Sequence, residues 1–181
     1  MEERVDATPS LVRAAVLAPV FERGGELHLV FIERSSDVPV HRGQIAFPGG
    51  VCRAEDVTCL DTALREAEEE IGLRREHVTE TQALREVQTM TSGFVISPFV
   101  GRVPDAYPFL PDPREVAGVF FVRLSELADP KARRHIVRTL SDGTEREVPT
   151  FVVGDRIIWG ATEMITREIL KELGRSDSPR L

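Results

Sequence analysis

Cysteine is scarce in this chain. Cys52 and Cys59 are its two thiols, seven positions apart, and no other Cys or His stands at zinc-ligand spacing from them. A zinc module is therefore not expected. Reduced thiols are the expectation, with a bridge between them left open. Nothing in the sequence supplies a thiolate-activating partner, so both are read as non-catalytic. Long apolar runs are missing too. Stretches such as Ala14 to Phe21 fall far short of the roughly 20 residues that a membrane-crossing helix needs. The first ten residues, MEERVDATPS, lack a basic segment followed by an apolar one, so a secretory leader is not expected and a cytoplasmic setting is. Positive charge is in deficit: 23 Lys and Arg against 30 Asp and Glu give a formal charge of −7. That balance argues against a nucleic-acid partner, because phosphate backbones select basic patches. A small polyanionic substrate is still open to the chain, provided local arginines or a bound cation supply the charge.

The chain does have the content of one ordinary globular domain. Its 181 residues are 41% hydrophobic and 29% charged, enough to bury a core without staples. A flexible arm over 1–10, one domain over 11–174 and a disordered tail over 175–181 are expected. Leu11 to Phe21 and Glu26 to Ile32 read as strands of a hairpin turned at Arg23-Gly24-Gly25. Residues 35–43 read as a loop, and Gln44 to Phe47 as a short strand ending at Pro48-Gly49-Gly50. Further strands are expected over 82–89, 93–102, 116–123 and 147–153. An amphipathic helix is expected from Asp155 to Leu173, where Ile158, Ala161, Ile165, Ile169 and Leu173 recur at helical spacing. Strands in irregular order with two or three helices imply an α/β fold, a mixed sheet sandwiched between helices. Residues 103–113 carry four prolines, which exclude regular structure. They form either a stiffened surface connection or a loop that shapes a pocket.

The chemistry points to the helix over about 58–71. Thr58 or Asp56 can cap its start, and Gly72 ends it. Leu60, Ala63, Leu64, Ala67 and Ile71 make a core-facing stripe. Glu66, Glu69 and Glu70 gather within an arc of roughly 100° on another side. Such a run is either a solvated face or a set of oxygen ligands for a hard cation such as Mg²⁺. The helix pattern alone does not separate the two. The preceding Phe47-Pro48-Gly49-Gly50 tips the balance, because paired glycines at a strand end let backbone approach a ligand or metal closely.

Gly50, Asp56 and then Arg65 to Leu73 (REAEEEIGL) resemble the Nudix box, G-x5-E-x7-R-E-U-x-E-E-x-G-U with U apolar. Arg65, Glu66, Glu69, Glu70, Gly72 and Leu73 match it. Asp56 stands where Glu is usual, and eight residues rather than seven separate it from Arg65. The longer spacing is similar to the coenzyme A pyrophosphatase branch of that family. So are Arg34-Ser35, the segment HRGQIAFPGG over 41–50, and Ile158 to Thr162 (IWGAT). Two positions depart from that branch: Val30-Phe31-Ile32 replaces Leu-Leu-Thr, and Pro39 stands where an arginine is usual.

This resemblance implies a Nudix-like α/β/α sandwich and hydrolysis of a nucleoside diphosphate derivative with Mg²⁺ or Mn²⁺. Coenzyme A or acyl-CoA is the implied substrate, with NADH, ADP-ribose or an oxidised nucleotide as alternatives. A non-catalytic nucleotide-binding regulator is a further one, which the retained Glu66, Glu69 and Glu70 disfavour. It also implies Glu66 and Glu70 as metal ligands, Glu69 as a third ligand or the water-activating base, and the Gly49 carbonyl as a further metal contact. Glu115, after the proline-rich segment, is an additional ligand or base by the same likeness, or else an exposed strand-end charge. Arg34, His41 and Arg42 are phosphate-contact candidates. Arg65 is read as holding a neighbouring carboxylate, and Trp159 as anchoring the last helix or stacking on a base. Oligomeric state is left open, a homodimer included.

Overall fold

A computed structural model describes residues 11–36, 43–89, 93–139 and 143–174. The expected arm over 1–10, the tail over 175–181, Pro39, His41 and Arg42 lie outside the described residues. The apolar run near the start forms β1, Val12–Arg23, which turns at Gly24-Gly25 into β2, Glu26–Arg34. Both turn glycines have positive φ, +62° and +78°, a conformation that costs residues with a Cβ. Two short strands follow, β3 at Ile45–Ala46 and β4 at Gly49–Val51, and then helix α1 at Cys59–Ile71. Beyond α1 come β5 at Thr79–Ala83, β6 at Val87–Gln88, β7 at Phe94–Arg102 and β8 at Val116–Arg123. A five-residue helix α2, Leu124–Ala128, leads to β9 at Arg133–Thr139, β10 at Glu145–Val153 and β11 at Arg156–Trp159. Helix α3, Gly160–Leu173, closes the described chain.

Among the described residues the main sheet runs β3-β2-β1-β7-β5, with β4 added to β1, β6 to β7 and β8 to β2. It is mixed: β1 runs parallel to β7 and antiparallel to β2 and β4. Because β1 and β2 are central, both faces are buried, which is why they read as nearly continuous apolar runs. Ala15, Leu17 and Phe21 of β1, with Val30 and Ile32 of β2, pack against Ala63, Leu64, Ala67 and Ile71 of α1. Ala18, Val20, Leu29 and Phe31 point the other way, toward Phe151, Ile158, Ile165 and Ile169. The alternation of period two therefore places α1 on one side of the sheet and α3 on the other. This is the α/β/α arrangement expected from the sequence.

Two expectations on the secondary structure are corrected. The last helix does not begin at Asp155. Val153 pairs with Arg156 across a two-residue turn, so residues 156–159 form β11, and α3 starts at Gly160. Ile158 joins the same core as Ile165 and Ile169, but from a strand. Its spacing from Ala161 mimicked a helical turn. The expected strand over 82–89 is broken into β5 and β6, which pair separately with β7. The sequence reading also missed β9, whose RRHIVRT segment is charged enough to look like loop. It pairs with β10 in a second sheet, β11-β10-β9.

The proline-rich segment has a structural task. Leu110 N–H donates to Ile71 O and Asp112 N–H to Glu70 O, each at 2.9 Å. These are carbonyls of the last helical turn, which has no intrahelical donors left for them. Tyr107 Oη donates to Gly72 O and accepts from Arg74 N–H, both at 3.0 Å. The segment thus caps the end of α1 that carries Glu70.

Candidate active site

Sequence chemistry fixes α1 at both ends. Thr58 and Asp61 form a reciprocal capping box, so Thr58 rather than Asp56 is the cap. Gly72 takes the left-handed conformation, φ +65°, and stops the helix. Asp56 is thereby free for another task. Its carboxylate accepts from Arg65 Nε at 3.0 Å and Nη2 at 2.9 Å, from Thr62 Oγ1 at 2.8 Å and from Arg53 N–H at 2.9 Å. These donors, Arg65 first, hold its pKa well below the usual carboxylate range. Asp56, in turn, raises the Arg65 pKa further.

The glutamates of α1 do not make a solvated face. Glu70 is 1% exposed and Glu66 9%, whereas Glu69 lies half-exposed beside them. Gly49 N–H donates to Glu70 Oε2 at 3.0 Å, and Arg34 Nη1 approaches Glu70 Oε1 at 3.4 Å. Burial nevertheless dominates and pushes the Glu70 pKa up to about 7; the Gly49 hydrogen bond and Arg34 oppose it, and the charges of Glu66 and Glu115 add to it. Glu66 Oε1 is 2.6 Å from Arg65 Nη1. Arg53 grips Glu69 with two hydrogen bonds of 3.1 Å and lies 3.8 Å from Glu66.

The Pro48-Gly49-Gly50 turn brings backbone against this cluster. A Cβ at Gly50 would lie 2.5–2.7 Å from the Glu66 carboxyl atoms. One at Gly49 would meet Ala15 O at 2.4 Å. Both glycines are therefore required by contact rather than by backbone conformation. Strand β4 pairs Gly49 with Val16 and Gly50 with Ala15 of β1, which fixes the turn against α1.

Of the residues singled out from sequence, the structure gathers Glu66, Glu69, Glu70, Gly49 and Arg34 around the start of β4 and the C-terminal half of α1. Gly49 turns its N–H toward Glu70. Arg34 is committed to Glu70, with its Nε buried and unpartnered among the described residues. Glu115 is exposed just ahead of β8, and its backbone carbonyl accepts from Ser35 N–H at 2.8 Å. Its charge adds to the raised pKa of Glu70. Trp159 ends β11 half-buried, with Arg138 stacked 4.5 Å from its ring. Arg53 was not anticipated. A basic residue in the loop between the glycines and a glutamate-bearing helix was the signal available for it.

The donor set is carboxylate oxygen throughout, which suits a hard divalent cation. Among the described residues, no three carboxylates form a finished cage. Guanidinium groups of Arg65 and Arg53 supply the positive charge between Glu66 and Glu69 instead. Arg53 and Glu69 are both substantially exposed, 46% and 44%, whereas Arg65 is held by Asp56. Gly50, lacking a Cβ, leaves the Glu66 carboxylate the room it occupies. The donor chemistry, carboxylate oxygen on Glu66, Glu69 and Glu70, is of the kind such an ion takes.

The family model for the NUDIX domain matches residues 11–141. A relative from Yersinia pestis, described as an uncharacterized Nudix hydrolase NudL, is 35% identical over 161 residues, covering 89% of this chain and 79% of that protein. A MutT/nudix family protein from Enterococcus faecalis superposes with a TM-score of 0.63 at 16% identity, covering 96% of this chain and 64% of that one. The Nudix domain of Shewanella oneidensis NrtR, crystallised with ADP ribose, gives a TM-score of 0.50 at 16% identity, over 70% of this chain and 82% of that one. At such identities the two structures are alike in fold alone. The family model and the Yersinia relative carry more: this chain belongs to the Nudix hydrolase family.

Proposed function

We propose that this chain hydrolyses the diphosphate linkage of a nucleoside diphosphate derivative with the help of Mg²⁺ or Mn²⁺. Coenzyme A or acyl-CoA is the substrate, and the products are 4′-phosphopantetheine and adenosine 3′,5′-bisphosphate. The observation that carries the hydrolase reading is the buried Glu70, held by Gly49 N–H beside Glu66 and Glu69. One guanidinium, Arg34 at 3.4 Å, faces this carboxylate, and a divalent cation would hold its ionised form more strongly.

Glu66 and Glu70 hold the metal, with the Gly49 carbonyl as a further contact. Glu69 is a third ligand or the base that takes a proton from the attacking water, and Glu115 joins the same site as ligand or base. When bound, the metal lowers the pKa of water and offsets charge on the diphosphate. Arg34, His41 and Arg42 would contact substrate phosphates. Support for the coenzyme A substrate comes from the spacing between Asp56 and Arg65 and from the segment over 41–50. Val30-Phe31-Ile32 and Pro39 are the places that depart from it.

A second reading changes the substrate to ADP-ribose, NADH or an oxidised nucleotide. The ADP ribose held by the Shewanella neighbour favours keeping it. A hydrolysis screen with Mg²⁺ or Mn²⁺ over coenzyme A, NADH, ADP-ribose and oxidised dGTP decides between them. Turnover of coenzyme A above the rest is expected. Preference for ADP-ribose would overturn the substrate, and no turnover of any compound by folded protein would overturn the hydrolase.

A further inference from the structure

We propose that Cys52 and Cys59 are a peroxide-oxidisable thiol pair that closes to an intramolecular disulfide across the loop leading into α1. The two Sγ atoms are 3.8 Å apart, with Cys52 placed to donate its S–H to Cys59. Both are free, and both are partly open to solvent. Closure to a bond of about 2.0 Å asks for an approach of roughly 2 Å. The loop between them is mostly exposed, Val57 to 90%, with Asp56 as its anchored point, so the approach falls to the residues on either side of Asp56.

The two sulfurs differ in character, which sets the order of events. Cys59 is the first residue of α1 and lies 3.6 Å from Arg13 Nη2. Helix N-termini and nearby cations both favour thiolate. Burial works against ionisation at Cys59, but the polar groups around it, Ser97, Cys52 and Arg13, outweigh it and bring the pKa down; at Cys52 burial prevails and raises it. Cys59 is therefore the attacking thiolate. It displaces water from hydrogen peroxide and becomes a sulfenic acid. Cys52 sulfur then attacks Cys59 sulfur, the S–O bond breaks, and the departing hydroxide takes the Cys52 proton as water. Two thiols and one peroxide give one disulfide and two waters. The bond would straddle Arg53 and Asp56, which hold Glu69 and Arg65.

The test treats the full chain with hydrogen peroxide, alkylates remaining thiols and maps peptides without reduction. A Cys52–Cys59 crosslinked peptide lighter by two hydrogens is expected, with the protein still monomeric on a denaturing gel relative to an untreated control. Dithiothreitol should restore two alkylatable thiols. The Cys52→Ser variant should stop at a sulfenic acid on Cys59 that dimedone traps, and Cys59→Ser should leave Cys52 alkylatable at the same peroxide dose. Sulfinic acid accumulating on wild-type Cys59 without crosslink, crosslinks between chains alone, or two thiols that stay alkylatable would each overturn the pair.

Discussion

Gly49 N–H and the Glu70 carboxylate meet at 3.0 Å across the gap between a strand end and a helix. The bond joins the two halves of the sequence motif, the glycine turn and the acidic helix. Among the described residues it is the one backbone donor to this carboxylate, itself 1% exposed. Most of what can be tested about the site follows from this contact and its neighbours.

Glu70→Gln keeps the shape of the side chain and removes the charge. Metal-dependent turnover should fall by about 100-fold or more, since a metal site contributes several kcal/mol of charge stabilisation. The melting temperature of the metal-free variant should hold or rise at pH 8, because a buried charge beside Glu66 is gone. Unchanged turnover would remove Glu70 from the site.

The pH dependence of metal-free stability should carry the mark of Glu70. Its folded pKa, about 7, lies above the ordinary 4.5. Stability from this group is thus fully present below about pH 4.5 and is lost as pH rises through 7, on the order of 3 kcal/mol in all. Asp56 acts in the opposite sense. Its folded pKa is depressed from 3.8, so its contribution is present above that value and lost in stronger acid. Between pH 5 and 8 the difference between wild type and Glu70→Gln isolates the glutamate. Added Mg²⁺ should raise the melting temperature more at pH 8 than at pH 5.5, since it binds the ionised carboxylate. A wild-type curve parallel to that of Glu70→Gln would contradict the assignment.

The paired glycines should separate stability from activity. At Gly50 an added Cβ strikes the end of the Glu66 side chain, which can swing away. Gly50→Ala should therefore lower stability by only about 1 kcal/mol while displacing Glu66 and reducing turnover at least tenfold. At Gly49 the Cβ strikes the Ala15 backbone oxygen, which cannot. Gly49→Ala should cost about 3 kcal/mol or fail to fold. Chemical denaturation and steady-state kinetics on both variants check the contrast.

Asp56 and Arg65 form a largely buried pair, 6% and 21% exposed. Asp56→Ala leaves that guanidinium without its main partner and should destabilise by about 3 kcal/mol. Asp56→Asn, which keeps acceptor oxygen for Thr62 and Arg53 N–H, should cost less. Equal losses in the two variants, measured by urea unfolding, would mean that the charge of Asp56 does not matter.

The sequence alone determined where α1 stops, since Gly72 acts through local backbone geometry, and narrowed its cap to Thr58 or Asp56. It determined the hairpin of β1 and β2, the layered α/β class and the resemblance of the motif, all of which rest on short-range pattern. Local pattern could not place Ile158, which helical spacing assigned to α3 and sheet pairing placed in β11. Nor could it see β9, whose strand character depends on a partner, β10, reached across a hairpin. For the glutamates, periodicity said only that Glu66, Glu69 and Glu70 share a side of a helix. Whether that side met water or protein was decided by β4, which lays Gly49 and Gly50 against α1 by pairing with β1. The same packing brought Cys52 and Cys59 to 3.8 Å. Burial, and with it the raised pKa of Glu70, is a property of what surrounds a residue, and only the tertiary structure supplies the surroundings.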